Sequence, residues 1–269
     1  MSTRRDLPSL VADLRRLGIR PGQDLLVHSS LRSVGPVDGG AATLLAALRE
    51  AAGPLATIVV PTQTAGNSRS SAAFRTATTG LNAPGLASYI SRMPGFDPAT
   101  TPSSGMGAFA EYVRTRAAAE RSSHPQTSFA AIGPHAAACV SGHRLDCHLG
   151  DSSPVGWLHR HGAAILLLGV GYAACTAFHL AEYQLAEDLP VPRRVYQCFV
   201  MTQGVRHDYA FWDLELNDSD FEAIGGAMDG EDFVRRGLVG EADCRLVPMR
   251  EAVRFARASA SFRRLRTWS

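Results

Sequence analysis

The alternation of apolar and polar stretches along the chain predicts a regular exchange of strands and helices. Short apolar runs have strand length at residues 25–27, 57–60, 129–132 and 163–170. Apolar residues at helical spacing occur in between, at residues 7–17, 41–52, 86–92, 107–119, 217–228 and 249–260, with another helix after Pro134. The last strand run is unbroken, which is typical of a strand buried on both faces. The pattern therefore predicts an α/β fold of the layered α/β/α type with a largely buried central sheet.

A hairpin is predicted beside this sheet. Residues 194–202 and 206–214 alternate, and Gln203-Gly204 between them is a turn signal. The second arm carries Asp208, Asp213 and Glu215, with Asn217 and Asp218 just beyond, and this acidic cluster is interpreted either as a polycation-binding site or as a polar strand end. A short strand is expected at residues 244–247. The polar, Gly- and Pro-rich stretch 61–101 is long enough to be a functional loop or lid. Because the chain shows no internal repeat and no linker, we expect a single domain over residues 1–269.

The strand at residues 163–170 leads into the first candidate site. Gly169 and Gly171 end this strand, and Thr176 can cap a helix that carries His179 and Glu182. Side chains three positions apart share one helix face. Open α/β sheets bind their ligands at the carboxyl ends of strands, where this His lies. A surface ion pair is the alternative interpretation of the same spacing.

The glycines in this stretch weakly resemble a dinucleotide-binding fingerprint. Gly169-Val-Gly171 is followed by Ala174, where the fingerprint has its third glycine. Such a fingerprint requires an acidic residue at the end of a second strand about 20 residues further on. Glu187 and Asp188 are near that distance, but no strand precedes them. Nucleotide binding is therefore a less favoured alternative.

A second polar segment follows the first strand. Residues 29–35 carry three serines and a glycine, whose hydroxyls and N–H groups can bind an anionic or amide-rich ligand. A plain polar loop is the alternative. His159 and His161 end a helix, where their spacing does not suit a metal, so we expect exposed side chains and no metal site. The absence of a GxSxG elbow argues against an α/β-type serine hydrolase.

Composition narrows the class of protein only moderately. The 269 residues are 45% apolar and 19% charged with a net charge of +2, which is ordinary for an enzyme and offers no nucleic-acid surface. The five scattered cysteines indicate reduced thiols. The sequence has no apolar run of membrane length and no signal-peptide pattern, so we expect a cytoplasmic protein. The arginines of residues 254–266 are interpreted as a solvated helix face.

Six motifs in order resemble the aminoglycoside 3-N-acetyltransferases. The resemblance extends from about Leu7 to Asp213 and is strongest to members that acetylate apramycin and gentamicin. Its motifs are His28-Ser-Ser-Leu-Arg-Ser-Val-Gly35, Val60-Pro61, His124-Pro125 with Ser128-Phe129, Ser153-Pro-Val155, Leu166-Leu-Leu-Gly-Val-Gly171 and Thr176-Ala-Phe-His-Leu-Ala-Glu182.

The resemblance implies the fold of this family rather than the GNAT acetyltransferase fold. It implies acetyl-CoA as cofactor, no metal, and acetylation of the 3-amino group on the 2-deoxystreptamine ring of aminoglycosides, which gives antibiotic resistance. The low net charge and the lack of an apolar run of membrane length predict no nucleic-acid or membrane partner, and a homodimer is left open. An acyltransferase for a different amine in a biosynthetic pathway is the alternative.

The resemblance also assigns roles to individual residues. His179 matches the catalytic histidine, and Asp213 matches an acidic residue that helps to bind and activate the amine. Relatives carry a glutamate two positions before Asp213, where this chain has Phe211, and Glu215 is a candidate substitute. The residues implied in cofactor binding are Ser29, Ser30, Leu31, Arg32, Ser33, Val34, Gly35, His124, Ser128 and Phe129, with Arg32 at the phosphates. The residues implied in substrate binding are Asp213, Glu215, Gln63 and Asn67.

These residue types fit the chemistry of amine acetylation. An amine must lose its proton before it attacks, and a histidine is a suitable base when a carboxylate such as Glu182 holds its tautomer. Thr176 is a candidate donor to the oxyanion that develops on the thioester carbonyl. We expect direct transfer in a ternary complex, and Cys175 leaves an acetyl-cysteine intermediate as the alternative.

Overall fold

The computed structural model describes residues 4–264, and its side chains up to residue 259. The strands are β1 (Leu25–Ser29), β2 (Ile58–Pro61), β3 (Glu120–Arg121), β4 (Phe129–Ile132), β5 (Ala164–Leu168), β6 (Arg193–Thr202), β7 (Val205–Leu214), β8 (Arg235–Val239) and β9 (Ala242–Pro248). The helices are α1 (Leu7–Leu17), α2 (Ala41–Ala52), α3 (Ala72–Thr78), α4 (Ala83–Arg92), α5 (Gly107–Arg114), α6 (Ala136–Val140), α7 (Pro154–Arg160), α8 (Phe178–Leu185), α9 (Phe221–Met228) and α10 (Met249–Arg264).

Seven strands form one mixed sheet in the order β3-β4-β2-β1-β5-β9-β8. The three strands at its centre, β2, β1 and β5, run parallel, and the strands outside them pair antiparallel. The carboxyl ends of the three parallel strands therefore lie side by side at one edge of the sheet. This edge is where open α/β sheets bind ligands.

The central strands are buried on both faces, as their unbroken apolar runs predict. Leu25 and Val27 of β1 pack into one core with α1, α2 and α5. Leu26, between them, belongs to a second core with α7, α8, α9 and α10. Alternate residues of a strand point to opposite faces, so one strand serves both cores. The predicted α/β/α layering is confirmed.

Several element bounds differ from the predicted ones. The sequence pattern missed β3 and β8, which are short or mostly exposed, and it missed α3, which buries no residue. Helix α5 ends at Arg114 rather than Ala119, because the chain then turns into β3. Helices α1 and α2 have their predicted bounds. A capping box of Asp6 and Ser9 begins α1, and Gly18 in the left-handed conformation ends it.

The predicted hairpin forms a separate two-stranded sheet. Strands β6 and β7 pair over ten residues each, and the turn residues Gln203 and Gly204 have positive φ values of 51° and 77°. Such values are typical of the tight hairpin turn that matches strand twist. The long polar stretch 61–101 contains α3 and α4, and it meets the hairpin at the bridges Ser68–Cys198 and Phe96–Val200. The predicted loop is therefore partly helical and docked on the hairpin.

The ends of the chain bear on two predictions. Helix α10 covers the arginine-rich stretch up to Arg264, where Arg254 and Arg257 form exposed ion pairs with Glu251 and Asp188. Residues 1–3 and 265–269 lie outside the described part, and with them the end of that stretch. A single domain over residues 1–269 stays a prediction. Within residues 4–264, no helix is long and apolar enough to cross a membrane.

Candidate active site

A cleft of about 700 Å³ opens at the carboxyl ends of β1, β2 and β5. Its walls come from residues 27–32 at the end of β1 and just after it, from Pro61 and Gln63 at the end of β2, and from Val170 and residues 173–176 after β5. The start of α5 and the residues Asp218 and Phe221 at the start of α9 close the remaining sides. The size is in the range of sites for small ligands.

His179 and Glu182 form a dyad on the wall of this cleft. His179 Nδ1 lies 2.5 Å from Glu182 Oε2, and the Glu182 side chain is 2% exposed. The other carboxylate oxygen of Glu182, Oε1, accepts the backbone N–H of Asn217 at 3.2 Å. His179 lines the cleft, and no atom of the described residues bonds to its Nε2. The buried carboxylate thus orients the imidazole and leaves one ring nitrogen for a ligand.

The helix that carries the dyad begins differently from the prediction. Thr176 as the cap of this helix is wrong, since the capping position of α8 is Ala177 and no side chain caps it. A 3₁₀ turn at Tyr172–Ala174 runs into α8, and the N–H groups of Phe178 and His179 bond to carbonyls three residues back. These bonds satisfy the first donors of the helix, so the Thr176 hydroxyl is not needed there.

Thr176 instead faces the cleft beside His28. Its Oγ1 lies 3.4 Å from His28 Nε2. Complete burial lowers the pKa of His28 to about 4, so this imidazole is neutral near neutral pH. In the tautomer with its proton on Nε2, His28 donates to Thr176 and leaves the threonine hydroxyl proton free for a ligand.

The serine segment after β1 divides into two parts. Ser29, Ser30, Leu31 and Arg32 line the cleft, and Arg32 is exposed with no ion pair among the described residues. Ser33, Val34 and Gly35 do not line it. Ser33 Oγ bonds to Ser30 Oγ at 2.8 Å and to the Gly169 carbonyl at 3.1 Å, which fixes the segment against the turn after β5.

Three predicted cofactor residues lie away from the cleft lining. His124 is 1% exposed, and its Nδ1 receives the N–H groups of Gln126 and Thr127. Ser128 bonds to Thr62, and Phe129 is fully buried in β4. The structure therefore does not bring His124, Ser128 or Phe129 together with the serine segment, and their binding role stays a prediction.

His124 belongs to a buried polar cluster beneath the hairpin, which we call the histidine layer: His124, His143, His148 and Asp213. The rings of His124 and His143 stack at 4.7 Å, and His124 lies at the same distance from His148. Burial is the main cause that lowers the pKa of all three histidines. Phe211, for which the resemblance to the family implies a glutamate, packs on His124 and His148 in this layer.

Asp213 lies inside the histidine layer rather than on the cleft wall. It is 1% exposed, and its Oδ2 accepts His148 Nδ1 at 2.6 Å, His148 N at 2.7 Å and the Tyr183 hydroxyl at 2.6 Å. Burial raises the pKa of Asp213, but the hydrogen bonds from His148 and Tyr183 outweigh burial and bring this pKa below its ordinary value. The carboxylate is fully used by the protein itself.

Of the remaining predicted substrate residues, some line the cleft and others do not. Gln63 lines the cleft. Asn67 is 1% exposed, and its amide donates to the Pro125 carbonyl at 2.7 Å, so it lies outside the lining. Glu215 is exposed but does not line the cleft either. The histidines expected to be exposed also differ, since His161 is exposed and His159 is half-buried.

Sequence reasoning missed several residues of the cleft wall. His28 was part of a motif but had no role, and Gly105, Gly107 and Phe221 were not singled out as site residues. Asp218 was noted only as part of the acidic cluster after the hairpin. The glycines carry a weak signal, since both adopt positive φ values at the entry to α5. Asp218 and Phe221 are brought to the site only because the start of α9 packs beside α8.

Tyr172 and α9 together support the cleft wall after β5. A Cβ placed on Gly225 would lie 1.8 Å from Tyr172 Cγ, and the Tyr172 hydroxyl is held by Asp229 at 2.6 Å. We expect Gly225→Ala to destabilise the fold by roughly 1–3 kcal/mol, because the ring cannot move aside. Gly226→Ala is the matched control, since its Cβ meets nothing within 4 Å and alanine favours a helix. Equal denaturation midpoints for the two variants would contradict the tight contact.

Cys175 also lines the cleft, but its thiol is a poor nucleophile. Complete burial raises its pKa to about 12, so almost no thiolate exists near neutral pH. The described residues contain no group of three or more His, Cys, Asp or Glu side chains that could hold a metal ion.

An imidazole held by a buried carboxylate lies on a cleft at the carboxyl ends of parallel strands, which is where α/β enzymes bind their ligands. The family model of aminoglycoside 3-N-acetyltransferases matches residues 26–260. The chain belongs to this family and is an acyltransferase, as the sequence motifs predict.

Individual relatives agree with this assignment. The chain is 35% identical over 257 residues to YokD, an aminoglycoside N(3')-acetyltransferase-like protein of Bacillus subtilis, covering 94% of this chain and 91% of YokD. It is 32% identical over 273 residues to aminoglycoside N(3)-acetyltransferase III of Serratia marcescens, covering 93% and 94%.

Solved structures show the same fold. AAC-IIIb in its binary complex with CoASH matches with a TM-score of 0.85 and 25% identity, over 97% of this chain and 98% of that chain. AAC-VIa bound to sisomicin matches with a TM-score of 0.82 and 31% identity, over 97% and 99%. The predicted family fold is therefore confirmed, and the preference for apramycin and gentamicin stays a prediction.

Proposed function

We propose that this enzyme transfers the acetyl group of acetyl-CoA to the 3-amino group of aminoglycosides, with His179 as general base. The observation that carries the proposal is the His179–Glu182 dyad: His179 lines the cleft, and its Nε2 has no bond to the described residues. The solved relatives AAC-IIIb with CoASH and AAC-VIa with sisomicin bind the two corresponding ligands. Ser29 and Ser30 offer hydroxyl groups to an anionic cofactor, and Arg32 offers a positive charge.

The dyad suits proton removal from an attacking amine. Nε2 of His179 accepts the amine proton while Nδ1–H donates to Glu182 Oε2, and the carboxylate stabilises the imidazolium that results. Because Glu182 is buried, this stabilisation acts at low dielectric, where it is stronger than in water. The same imidazolium returns this proton to the departing sulfur, so His179 ends in its starting state. An acceptor that enters as an ammonium group also releases one further proton to solvent.

Acetyl-CoA supplies a thioester, whose C–S bond breaks as the new C–N bond forms. Thr176 can donate its hydroxyl proton to the carbonyl oxygen as negative charge develops there, with His28 holding Thr176 Oγ1 from the other side. The raised pKa of Cys175 supports direct transfer to the amine over a covalent acetyl-cysteine.

Arg32 allows a test of the cofactor site. We expect Arg32→Ala to weaken CoA binding by roughly 1–3 kcal/mol, because a charge-assisted contact to a phosphate is lost. Titration calorimetry with CoA measures this change. Arg75→Ala, at a surface arginine outside the cleft, serves as the control for a lost positive charge. An unchanged affinity in Arg32→Ala removes this residue from the site.

The activity itself is tested by incubating the protein with acetyl-CoA and a panel of aminoglycosides that includes sisomicin, apramycin and gentamicin. Products heavier by one acetyl group are expected in mass spectra, and magnetic resonance then identifies the acetylated amine. Asp218 is the one carboxylate on the described cleft wall. Because a single carboxylate also suits an amine with fewer positive charges, such an amine is the alternative acceptor. Acetylation of simple amines but of no aminoglycoside would select that second function. A cytoplasmic location and a homodimer stay predictions.

A further inference from the structure

Asp218 differs from the other acidic residues near the start of α9. It lines the cleft and is exposed, and its carboxylate has no hydrogen bond or ion pair within the described part of the chain. Glu222, by contrast, accepts the backbone N–H of Ala173 at 2.9 Å, and neither Glu222 nor Asp220 lines the cleft. A carboxylate without a protein partner on a cleft wall is available to a cationic ligand.

The backbone around Asp218 is fixed on both sides. Before it, the N–H of Asn217 donates to Glu182 Oε1 at 3.2 Å, so the carboxylate that orients His179 also anchors this turn. After it, the N–H of Phe221 donates to the Asp218 carbonyl at 3.1 Å, and the Phe221 ring lies 4.6 Å from the His179 ring. Asp218 is therefore held near the base by the same contacts that position the base.

The Asp218 side chain is short, and the backbone that carries it is held on both sides. An aspartate loses less rotamer entropy on binding than a longer acidic residue does. The other charged side chain of the lining, apart from the histidines, is Arg32 after β1. The cleft thus has one residue for an anionic cofactor and one for a cationic acceptor.

We infer that Asp218 binds a second ammonium group of the acceptor, next to the amine that His179 deprotonates. The inference rests on the proposed function and specifies its substrate class, which is amines with at least two cationic groups close together. Recognition then comes from Asp218 rather than from Asp213, whose oxygens are already bonded within the histidine layer.

The test compares steady-state kinetics of Asp218→Asn with those of the parent enzyme, using sisomicin and acetyl-CoA. The variant should raise KM for sisomicin roughly 5- to 30-fold, as expected for one charge-assisted contact at a partly exposed wall, and leave kcat within about 2-fold. The affinity for CoA should not change. Asp218→Glu, which keeps the charge, should recover part of the loss.

Salt separates recognition of charge from a structural role. The parent KM should rise with ionic strength, because a charge at an open wall is screened over about 10 Å at 0.1 M salt, and the Asp218→Asn KM should rise less. Glu231→Gln is the matched control, since Glu231 is exposed and lies outside the cleft lining. If Asp218→Asn behaves like Glu231→Gln, or if KM, kcat and melting temperature all worsen together with the salt dependence retained, the inference is wrong.

Calorimetry separates the inference from the proposed function. If the parent acetylates no aminoglycoside, the proposed function fails, but the affinities of the parent and Asp218→Asn for sisomicin can still be compared with CoA bound. A weaker affinity in the variant supports Asp218 even then. Equal affinities, or no binding of sisomicin to either protein, overturn the inference.

Discussion

We expect His179→Ala to lower the acetylation rate by roughly 10²–10⁴-fold, while the protein still folds and binds CoA. The reason is that the variant loses the only imidazole that lies on the described cleft wall with a ring nitrogen free of protein bonds and a carboxylate behind it. His28, the other histidine of the lining, is buried and neutral and faces Thr176. It is therefore not placed to replace His179.

Three measurements on one preparation of His179→Ala decide the matter: the melting temperature, the CoA affinity and the acetylation rate. His207→Ala is the control, because His207 is exposed on the hairpin and outside the cleft lining. A base works only when unprotonated, so the parent rate should also rise with pH as the base loses its proton, if chemistry limits the rate. Turnover within a few-fold of the parent rate in folded His179→Ala would refute the mechanism.

Glu182 should affect the same rate through its contact with His179. Its carboxylate holds Nδ1 of His179 at 2.5 Å and also binds the Asn217 N–H, so it orients the imidazole and the turn that carries Asp218. A loss of Glu182 therefore changes two parts of the site together. This is why Asp218, whose side chain makes no bond within the described chain, is the cleaner position at which to test recognition of the acceptor.

The sequence predicted those elements whose signals are local. The bounds of α1 follow from its apolar spacing and from caps at Asp6 and Gly18, and the hairpin turn follows from Gln203-Gly204. The sequence also predicted the dyad, because His179 and Glu182 are three residues apart on one helix. A buried strand before this helix placed the dyad at the ligand-binding edge of the sheet.

The residues that sequence reasoning assigned least well depend on contacts between distant segments. Asp213 and His148 are 65 positions apart, and nothing local shows that the carboxylate is buried against the imidazole instead of facing the cleft. Likewise, the position of Asp218 depends on contacts between distant segments, among them the bond from the Asn217 N–H to Glu182, 35 positions earlier. The sequence gives the chemistry of a polar residue at a strand end, but distant contacts set the direction of its side chain.

The histidine layer leads to the second large expected effect, on stability. Asp213→Asn should destabilise the fold by roughly 1–3 kcal/mol, because three buried donors lose a charged acceptor. His148 Nδ1, His148 N and the Tyr183 hydroxyl all donate to Asp213 Oδ2. Denaturant unfolding of the parent and of the variant measures this difference.

Asp208→Asn is the matched control on the same strand. Its carboxylate is 46% exposed and pairs with Arg69 at 3.3 Å, so its loss should cost no more than about 1 kcal/mol. If both variants unfold at the parent's midpoint and Asp213→Asn only raises KM for the aminoglycoside, Asp213 is a substrate residue after all, as the resemblance to the family implied. Such a result would contradict the buried arrangement of the histidine layer.

Acidification should act on the same layer in the parent. The pKa values of His124, His143 and His148 are lowered in the folded state, so the unfolded chain takes up more protons below about pH 6.5 and stability falls as the pH decreases. The lowered pKa of Asp213 acts in the same direction, since its stabilisation is present above its unfolded pKa near 3.8 and is lost as the pH falls through the folded value. Melting temperatures between pH 7.5 and 4.5 should therefore decrease steadily. A flat profile would mean that these histidines are not buried in their neutral form.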